Sequence, residues 1–216
     1  MNIHILDQQH SVANLFLAEL RDKNVQHDRM RFRTNIERLG MLMAYEISKK
    51  LSYQEKTITT PLADTTMYLS TDELVVATIL RAGMPFMQGF LKIFDHAEAA
   101  FIGAMRGKHR EDHSFDINLD YVACPSLTGK TLIICDPMLA SGKSLVEGCN
   151  SLLEHGHPKH IHLACVIASP EGVAYIKQHL PDATLWLAAV DQKLNQESYI
   201  VPGLGDAGDL SFGEKL

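Results

Sequence analysis

Short, continuously apolar runs alternate with polar-faced segments along the second two-thirds of the chain. The runs lie at Leu74–Leu80, Ala99–Met105, Thr131–Cys135, Ile161–Ala168 and Thr184–Val190. Runs of this length and apolarity are typical of parallel strands that are covered on both faces. Apolar residues at helical spacing mark Pro85–Phe94, Ser144–His155 and Glu171–His179, and Gly156 follows the second segment. This alternation predicts an α/β fold with a doubly wound, mainly parallel sheet.

The N-terminal third has a different pattern. Val12–Leu20 and Thr34–Leu51 are predicted to be helices, and Thr57–Pro61 with Thr66–Leu69 is predicted to form a small ribbon. We interpret residues 1–70 as a helical arm or cap, residues 71–194 as the core and residues 195–216 as a tail. The chain of 216 residues is therefore expected to be a single domain with appendages.

Two segments lack a clear period. Gly107–Asn118 is polar and charged, which predicts a mobile loop or a projecting hairpin. The tail holds four glycines before Lys215, which predicts little regular structure. Ile200, Val201 and Leu204 stand next to those glycines, so we expect the tail to dock on the core.

Composition narrows the class of protein. Hydrophobic residues make up 46% and charged residues 21% of the chain, which is ordinary for a globular protein. The net charge of −6 disfavours nucleic acid as a partner. The chain lacks an apolar run of about 18 residues and a signal-peptide pattern at its N-terminus, so we expect a cytoplasmic protein that does not contact a membrane. Cys124, Cys135, Cys149 and Cys165 lack C-x-x-C spacing, which argues against disulfides and structural zinc.

The segment with the most chemical information is the strand-to-helix turn at Asp136–Ser144. An apolar strand ends at Asp136, and small and hydroxyl residues then lead into a predicted helix. The backbone N–H groups of such a turn converge, and the helix dipole adds partial positive charge, so a phosphate monoester fits there. The alternative is an ordinary turn whose helix is capped by Ser141 or Ser144.

The same turn approximates the Walker A pattern G-x-x-x-x-G-K-[ST], with Pro137 in place of the first glycine. Proline supplies neither the backbone angle nor the N–H that the phosphate loop requires of that glycine. An acidic residue at the end of a second strand is best approximated by Asp191, after Val190. The nucleotide-hydrolase alternative is therefore weakened.

A histidine cluster offers one more alternative. His155, His157, His160 and His162 lie within eight residues, and the last two share one face of a predicted strand. A metal site is one interpretation. A polar helix-to-strand connection is the other, and it is favoured because the segment has no nearby cysteine and no acidic partner after Glu154.

Three segments together point to one family. The turn reads D-P-M-L-A-S-G from Asp136, Ile79–Phe86 reads I-L-R-A-G-M-P-F, and Tyr199–Asp209 reads Y-I-V-P-G-L-G-D-A-G-D. Taken in chain order, they resemble the motifs of the uracil phosphoribosyltransferases, which are type I phosphoribosyltransferases, and the resemblance covers Leu74–Gly213. It implies an enzyme that joins uracil to the ribose of phosphoribosyl diphosphate (PRPP), with Mg²⁺ as cofactor and with PRPP and uracil as its partners.

The resemblance also implies the site residues. The PRPP-binding set would be Arg81, Arg106, Asp136, Pro137, Met138, Leu139, Ala140, Ser141, Gly142, Lys143, Ser144 and Asp206. The uracil-binding set would be Ile200, Gly205, Asp206 and Ala207, acting largely through the backbone. Asp136, Arg81 and Arg106 would be catalytic, because the arginines would take the diphosphate charge and Asp136 would orient the ribose hydroxyls. Mg²⁺ would be held mainly by PRPP and water, and Gly107–Asn118 would close over the site.

The sequence departs from the family's usual pattern at Met105, Lys143 and Leu210, which puts regulation and substrate affinity in doubt. Two alternatives remain open: a PRPP-binding regulatory or RNA-binding relative that has lost the reaction, and a phosphoribosyltransferase for another base. A homodimer or a larger homo-oligomer is expected, although no sequence pattern fixes the number of subunits.

Overall fold

The computed structural model describes residues 1–106 and 117–215, with residues 104–106 and 117–120 described by their backbone alone. The strands are β1 (Asn2–Ile5), β2 (Tyr53–Thr59), β3 (Asp64–Ser70), β4 (Leu74–Leu80), β5 (Glu98–Arg106), β6 (Ile117–Ala123), β7 (Thr131–Cys135), β8 (Met138–Leu139), β9 (His160–Ala168), β10 (Thr184–Val190), β11 (Lys193–Leu194) and β12 (Ile200–Val201). The helices are α1 (Val12–Arg21), α2 (Arg29–Ser48), α3 (Gly83–Leu91), α4 (Lys143–Leu153), α5 (Pro170–His179) and α6 (Ala207–Phe212), and a 3-10 turn spans Leu6–Gln8.

One eight-stranded sheet forms the centre of the molecule. Its order is β1-β10-β9-β7-β4-β5-β6, with β8 added beside β9. β6 is antiparallel to β5, and the other pairs in this sheet are parallel. The predicted α/β fold with a mainly parallel sheet is therefore confirmed, and the five predicted strands match β4, β5, β7, β9 and β10 to within one residue at each end.

Two hydrophobic cores lie on the two faces of this sheet. Neighbouring residues of β4 point to opposite faces, so Val76 belongs to one core and Val75 to the other. Helices α1, α2 and α3 cover the first face, and α4 and α5 cover the second. Strands buried on both faces must be apolar throughout, which explains the continuous runs in the sequence.

Helices α2 and α3 pack unusually closely because each carries a glycine at the contact. A Cβ atom on Gly40 would lie 2.4 Å from the carbonyl oxygen of Phe86, and one on Gly89 would lie 2.1 Å from that of Glu37. Backbones can approach this closely only where neither residue has a side chain. The contact fixes α3, whose first turn follows Arg81 at the end of β4.

The N-terminal third confirms most of the predicted elements and shifts their ends. α2 begins at Arg29, five residues before the predicted Thr34, because the Asp28 carboxylate caps it by accepting a hydrogen bond from the Arg31 N–H at 3.0 Å. The predicted ribbon exists and is longer than expected, because β2 and β3 pair along their whole length. Both strands are exposed on both faces, so this hairpin projects from the body.

The tail corrects one expectation. It contains regular structure, because β12 pairs with β11 and residues 207–212 form α6. The glycine-rich segment can begin a helix there because Asp206 supplies the cap: its Oδ1 accepts from the N–H groups of Gly208 at 2.8 Å and Asp209 at 3.0 Å. The expected docking is confirmed, since Ile200 and Leu204 are buried.

Only the last two residues of the predicted loop Gly107–Asn118 are among those that the structure describes. Ile117 and Asn118 belong to β6 rather than to a loop, and Arg106 faces Ile117 across the antiparallel pair. Residues 107–116 lie outside the described residues, so their mobility stays a prediction. Within the described ranges, the helices include none with the length and apolarity needed to cross a bilayer.

Candidate active site

A cavity of about 210 Å³ lies where β4 and β7 end and where the tail crosses the sheet. We call it the strand-end cavity. In open α/β sheets, ligands bind at this edge because the loops that follow parallel strands converge there. Its walls come from three segments far apart in sequence: residues 79–82, residues 136–145 and the tail.

The strand-to-helix turn forms one wall. Asp136 follows β7, and its Oδ1 accepts a hydrogen bond from the Met138 N–H at 3.2 Å, which keeps the carboxylate at the mouth of the turn. Gly142 precedes α4 with a φ of +81°, a conformation that other residues adopt only with strain. A Cβ atom there would also lie 3.1 Å from the Tyr175 ring, so glycine is needed for space as well.

Helix α5 braces this turn from outside the cavity. Ser169 caps α5 by accepting from the Gly172 N–H at 2.9 Å, and its hydroxyl donates to the Ala140 carbonyl oxygen at 2.6 Å. A Cβ atom on Gly172 would lie 2.3 Å from that same oxygen. The backbone of the turn is therefore fixed by a contact that no local sequence pattern contains.

Arg81 stands on the opposite wall, directly after β4. Its Nη2 donates to the Asp209 carboxylate at 2.9 Å, and its Nη1 donates to the Gly213 carbonyl oxygen at 3.3 Å. The Arg81 side chain keeps 37% of its surface exposed, so it can also reach an anion in the cavity. Arg81 thus joins the two ends of α6 to the end of β4.

The tail supplies the third wall, mostly as backbone. Gly205 has a φ of +91°, and a Cβ atom there would meet only the Leu210 side chain, at 3.6 Å. Its glycine is therefore required by backbone conformation more than by space. Ile200 and Ala207 are buried beside it and also line the cavity.

The strand-end cavity brings together most of the residues predicted from the sequence. They are Arg81, Asp136, Met138, Leu139, Ala140, Ser141, Gly142, Ser144, Ile200, Gly205, Asp206 and Ala207. Pro137 and Lys143 are absent from this lining. The Pro137 carbonyl oxygen accepts hydrogen bonds from the N–H groups of Val166 and Ile167, so its backbone is hydrogen-bonded to β9. Arg106 ends β5, and its side chain lies outside the described part of the chain.

The site residues predicted from the sequence did not include eight that line the cavity: Ile79, Leu80, Ala82, Leu145, Ser198, Tyr199, Gly208 and Lys215. Tyr199 opens the Y-I-V-P-G motif, and that position was the available signal for it. Lys215 lies at the end of the chain, where a sequence pattern gives no information about folding back. Lys215 and Arg81 are the cationic side chains of the lining, and Asp136 and Asp206 are the acidic ones.

Two members of the histidine cluster, His160 and His162, take part in packing. The Trp186 indole N–H donates to His162 Nδ1 at 3.1 Å, and burial lowers the pKa of His162 to about 3. His160 Nε2 lies 2.9 Å from the Thr184 hydroxyl. Across residues 1–106 and 117–215, no group of three or more His, Cys, Asp or Glu side chains is arranged to hold a metal ion.

Comparison with known proteins agrees with this arrangement. The family model described as uracil phosphoribosyltransferase matches residues 7–214. A uracil phosphoribosyltransferase of Porphyromonas gingivalis is 52% identical over 217 residues, which cover 100% of both chains. Another, from Thermococcus gammatolerans, is 40% identical over 203 residues, which cover 93% of this chain and 88% of that protein.

Solved structures extend the likeness to three dimensions. A protein of Aquifex aeolicus superposes with a TM-score of 0.86 at 30% identity, covering 98% of each chain. A protein of Thermus thermophilus superposes with a TM-score of 0.52 at 14% identity, over 83% of this chain and 90% of that one, and shares the fold alone. The family resemblance predicted from the three sequence motifs is confirmed, and the chain belongs to the uracil phosphoribosyltransferase family.

Proposed function

We propose that this chain transfers the 5-phosphoribosyl group of PRPP to uracil, producing UMP and diphosphate in pyrimidine salvage. One observation carries the proposal: a single cavity combines a strand-to-helix turn of small residues, an arginine and the glycine-rich tail. These are the groups that a phosphorylated sugar, a diphosphate and a flat base would each need. Family membership supports the same assignment.

PRPP would bind along two walls of the cavity. The 5′-phosphate would bind at the turn at Ala140–Gly142, because backbone N–H groups of such a turn and the start of a helix such as α4 favour an anion. Arg81 would receive the diphosphate through paired, charge-assisted hydrogen bonds. Asp136 would accept hydrogen bonds from the ribose hydroxyls. All of these contacts stay predictions, and so do the predicted PRPP contacts of Pro137, Lys143 and Arg106.

Uracil would lie against the tail. Gly205 lines the cavity with a positive φ, and we expect this backbone conformation to turn its polar groups toward the base. Backbone N–H and C=O groups can match the alternating acceptors and donors along one edge of uracil. Cytosine presents a donor where uracil presents an acceptor, so a buried backbone donor would lose its partner with cytosine.

The reaction is a displacement at the anomeric carbon. Uracil N1 forms a bond to C1′ and loses its proton, while the C1′–O bond to diphosphate breaks and its electron pair leaves with the diphosphate. Positive charge develops on the ribose ring in such reactions. The protein would contribute by holding both substrates in line and by stabilising the departing charge with Arg81 and Arg106.

The lining fits Mg²⁺ bound chiefly by substrate. Asp136 and Asp206 are its acidic side chains, and Asp206 Oδ1 already caps α6, so few carboxylate oxygens face the cavity. Mg²⁺ retains water readily and is often held by phosphate oxygens with one or two carboxylates. When bound, Mg²⁺ would neutralise charge on the diphosphate, and it would be held mainly by PRPP and water, with Asp136 as the protein carboxylate that would contribute.

The test is to measure UMP formation from uracil and PRPP, with cytosine and hypoxanthine as controls. We expect PRPP to give a nucleotide product with uracil and with neither of the two control bases. Efficient use of hypoxanthine or cytosine would favour a transferase for another base. PRPP binding without product from any base would favour the regulatory relative, and RNA binding can be measured with the same preparation.

We also propose that the enzyme is a homodimer or a larger homo-oligomer. The β2–β3 hairpin exposes large apolar side chains, including Leu62 at 97% and Tyr68 at 65%. Projecting apolar surface of this kind is typical of an interaction site. Sedimentation velocity at micromolar concentration would test this, and a monomer would contradict it.

A further inference from the structure

An ion pair outside the strand-end cavity holds the segment that leads into it. Arg21, the last residue of α1, binds Asp191 with both guanidinium Nη atoms: Nη2 lies 2.6 Å from Oδ1, and Nη1 lies 2.9 Å from Oδ2. The same two side chains also form hydrogen bonds with the N–H and the carbonyl oxygen of Gly203. Its N–H donates to Asp191 Oδ2 at 2.9 Å, and its carbonyl oxygen accepts from Arg21 Nη1 at 3.1 Å.

Asp191 is anchored in the core. The Asp191 N–H donates to the Ala168 carbonyl oxygen at 2.8 Å, which ties the residue to the carboxyl end of β9. Asp191 is 5% exposed in its side chain and Arg21 is 24% exposed. Gln26 adds a second attachment, because its Nε2 donates to the carbonyl oxygens of Leu20 at 3.1 Å and Leu204 at 3.2 Å.

Gly203, whose backbone is held by Arg21 and Asp191, lies immediately before the segment proposed to bind the base. Gly203 has a φ of +63°, and a Cβ atom on it would lie 2.1 Å from the Ile200 carbonyl oxygen, so the chain turns sharply there. Gly205, two residues later, lines the cavity. A glycine-rich segment has high conformational freedom. The direction of the backbone at residues 203–208 must therefore be fixed by contacts with other parts of the chain.

We infer that Arg21 and Asp191 are positioning residues for base recognition: their clamp on Gly203 sets where the backbone of Gly205–Ala207 lies in the cavity. This inference rests on the proposed function, since it concerns how the tail presents itself to uracil. Neither side chain lines the cavity, so neither needs to touch a substrate. Their effect should therefore fall on the base and spare PRPP, which would be held by the turn and Arg81.

The chain contains a matched control pair. Arg31 also binds a carboxylate with two nitrogens, Nε and Nη2 to Glu19, and it joins α1 to α2 as Arg21 joins α1 to the tail. Glu19 also accepts from Asn35, and none of these three residues lines the cavity. We expect loss of this pair to perturb α1 without releasing Gly203.

The experiment compares Asp191→Asn and Arg21→Lys with Glu19→Gln and Arg31→Lys in the full chain. An asparagine amide puts a donor against either Arg21 or Gly203, and a lysine cannot reproduce the fork that Arg21 makes. We expect the KM for uracil to rise about tenfold in the first two variants, with the Kd for PRPP within about twofold of the parent. The control variants should change neither constant.

Hydrogen exchange of the peptide that spans residues 203–208 provides a readout independent of turnover. Exchange should be faster in Asp191→Asn and Arg21→Lys and unchanged in the controls. An unchanged uracil KM, or unchanged exchange in folded variants, would overturn the inference, as would an equal rise of the uracil KM in the controls. If the parent protein made no UMP, the proposed function would fail, and exchange alone would still decide whether the clamp holds the segment.

Discussion

Replacing Gly205 with valine should strongly impair the use of uracil while leaving PRPP binding nearly intact. Gly205 has a φ of +91°, which costs a residue with a side chain about 1–3 kcal/mol and a β-branched residue the most. The space around it does not oppose a side chain, since a Cβ atom would lie 3.6 Å from Leu210. The backbone is therefore expected to relax toward negative φ and to turn its polar groups away from the cavity.

The size of the effect follows from the hydrogen bonds lost. Two backbone bonds to the base, worth about 1–1.5 kcal/mol each, correspond to about 30- to 150-fold in kcat/KM for uracil. The Kd for PRPP should stay within about threefold, because the turn and Arg81 are unchanged. The assay is steady-state UMP formation, with PRPP binding measured separately by calorimetry.

Gly129→Val is the matched control. Gly129 has a φ of +76° with no atom within 4 Å of its Cβ position, and it precedes β7 at the edge of the sheet away from the cavity. The Gly129→Val variant should lose about as much folding stability as Gly205→Val and should keep its activity with uracil. UMP formation by Gly205→Val at near-parental rates would refute recognition by the tail backbone.

Ile200→Ala tests the same idea from the side-chain direction. Ile200 is 4% exposed and packs in the core below the tail, so its truncation should cost about 2–5 kcal/mol of folding stability. Uracil should bind more weakly, yet its preference over cytosine should survive because the hydrogen-bonding backbone is retained. Free acceptance of cytosine by this variant would contradict the account.

Other substitutions probe the turn, the cavity mouth and the histidine cluster. Asp136→Asn should fold normally and lose about ten- to a hundredfold in kcat/KM, the value of one charge-assisted hydrogen bond, and near-normal kinetics would remove Asp136 from the site. Gly142→Ala should lower the free energy of unfolding by about 1–3 kcal/mol in thermal melts, because its φ of +81° and the nearby Tyr175 ring both oppose a Cβ atom. Burial lowers the pKa of His162 to about 3, so between pH 6.5 and that value the unfolded chain binds the extra proton and stability falls as the pH falls. Urea unfolding from pH 7 to pH 5 should show this loss, at most about 1.4 kcal/mol per pH unit, and His162→Gln should reduce the slope.

The strands were predictable because their burial leaves a direct trace in the sequence. β4, β7 and β10 have the predicted ends because strands covered on both faces tolerate few polar residues. β1 was missed because its four residues, Asn2–Ile5, are too few for their alternation of polar and apolar side chains to stand out. α6 was missed because six residues with an internal glycine give no helical period, and its formation depends on the Asp206 cap.

The site divides in the same way. Local motifs by themselves determined Arg81, the strand-to-helix turn and the glycines of the tail, because tight turns and anion-binding loops require particular residues at adjacent positions. Only the tertiary structure decided that Arg81 binds Asp209, that Ser169 braces Ala140, and that Arg21 meets Asp191 across 170 positions of sequence. Such contacts join elements brought together by the packing of the whole sheet, so no local pattern can encode them.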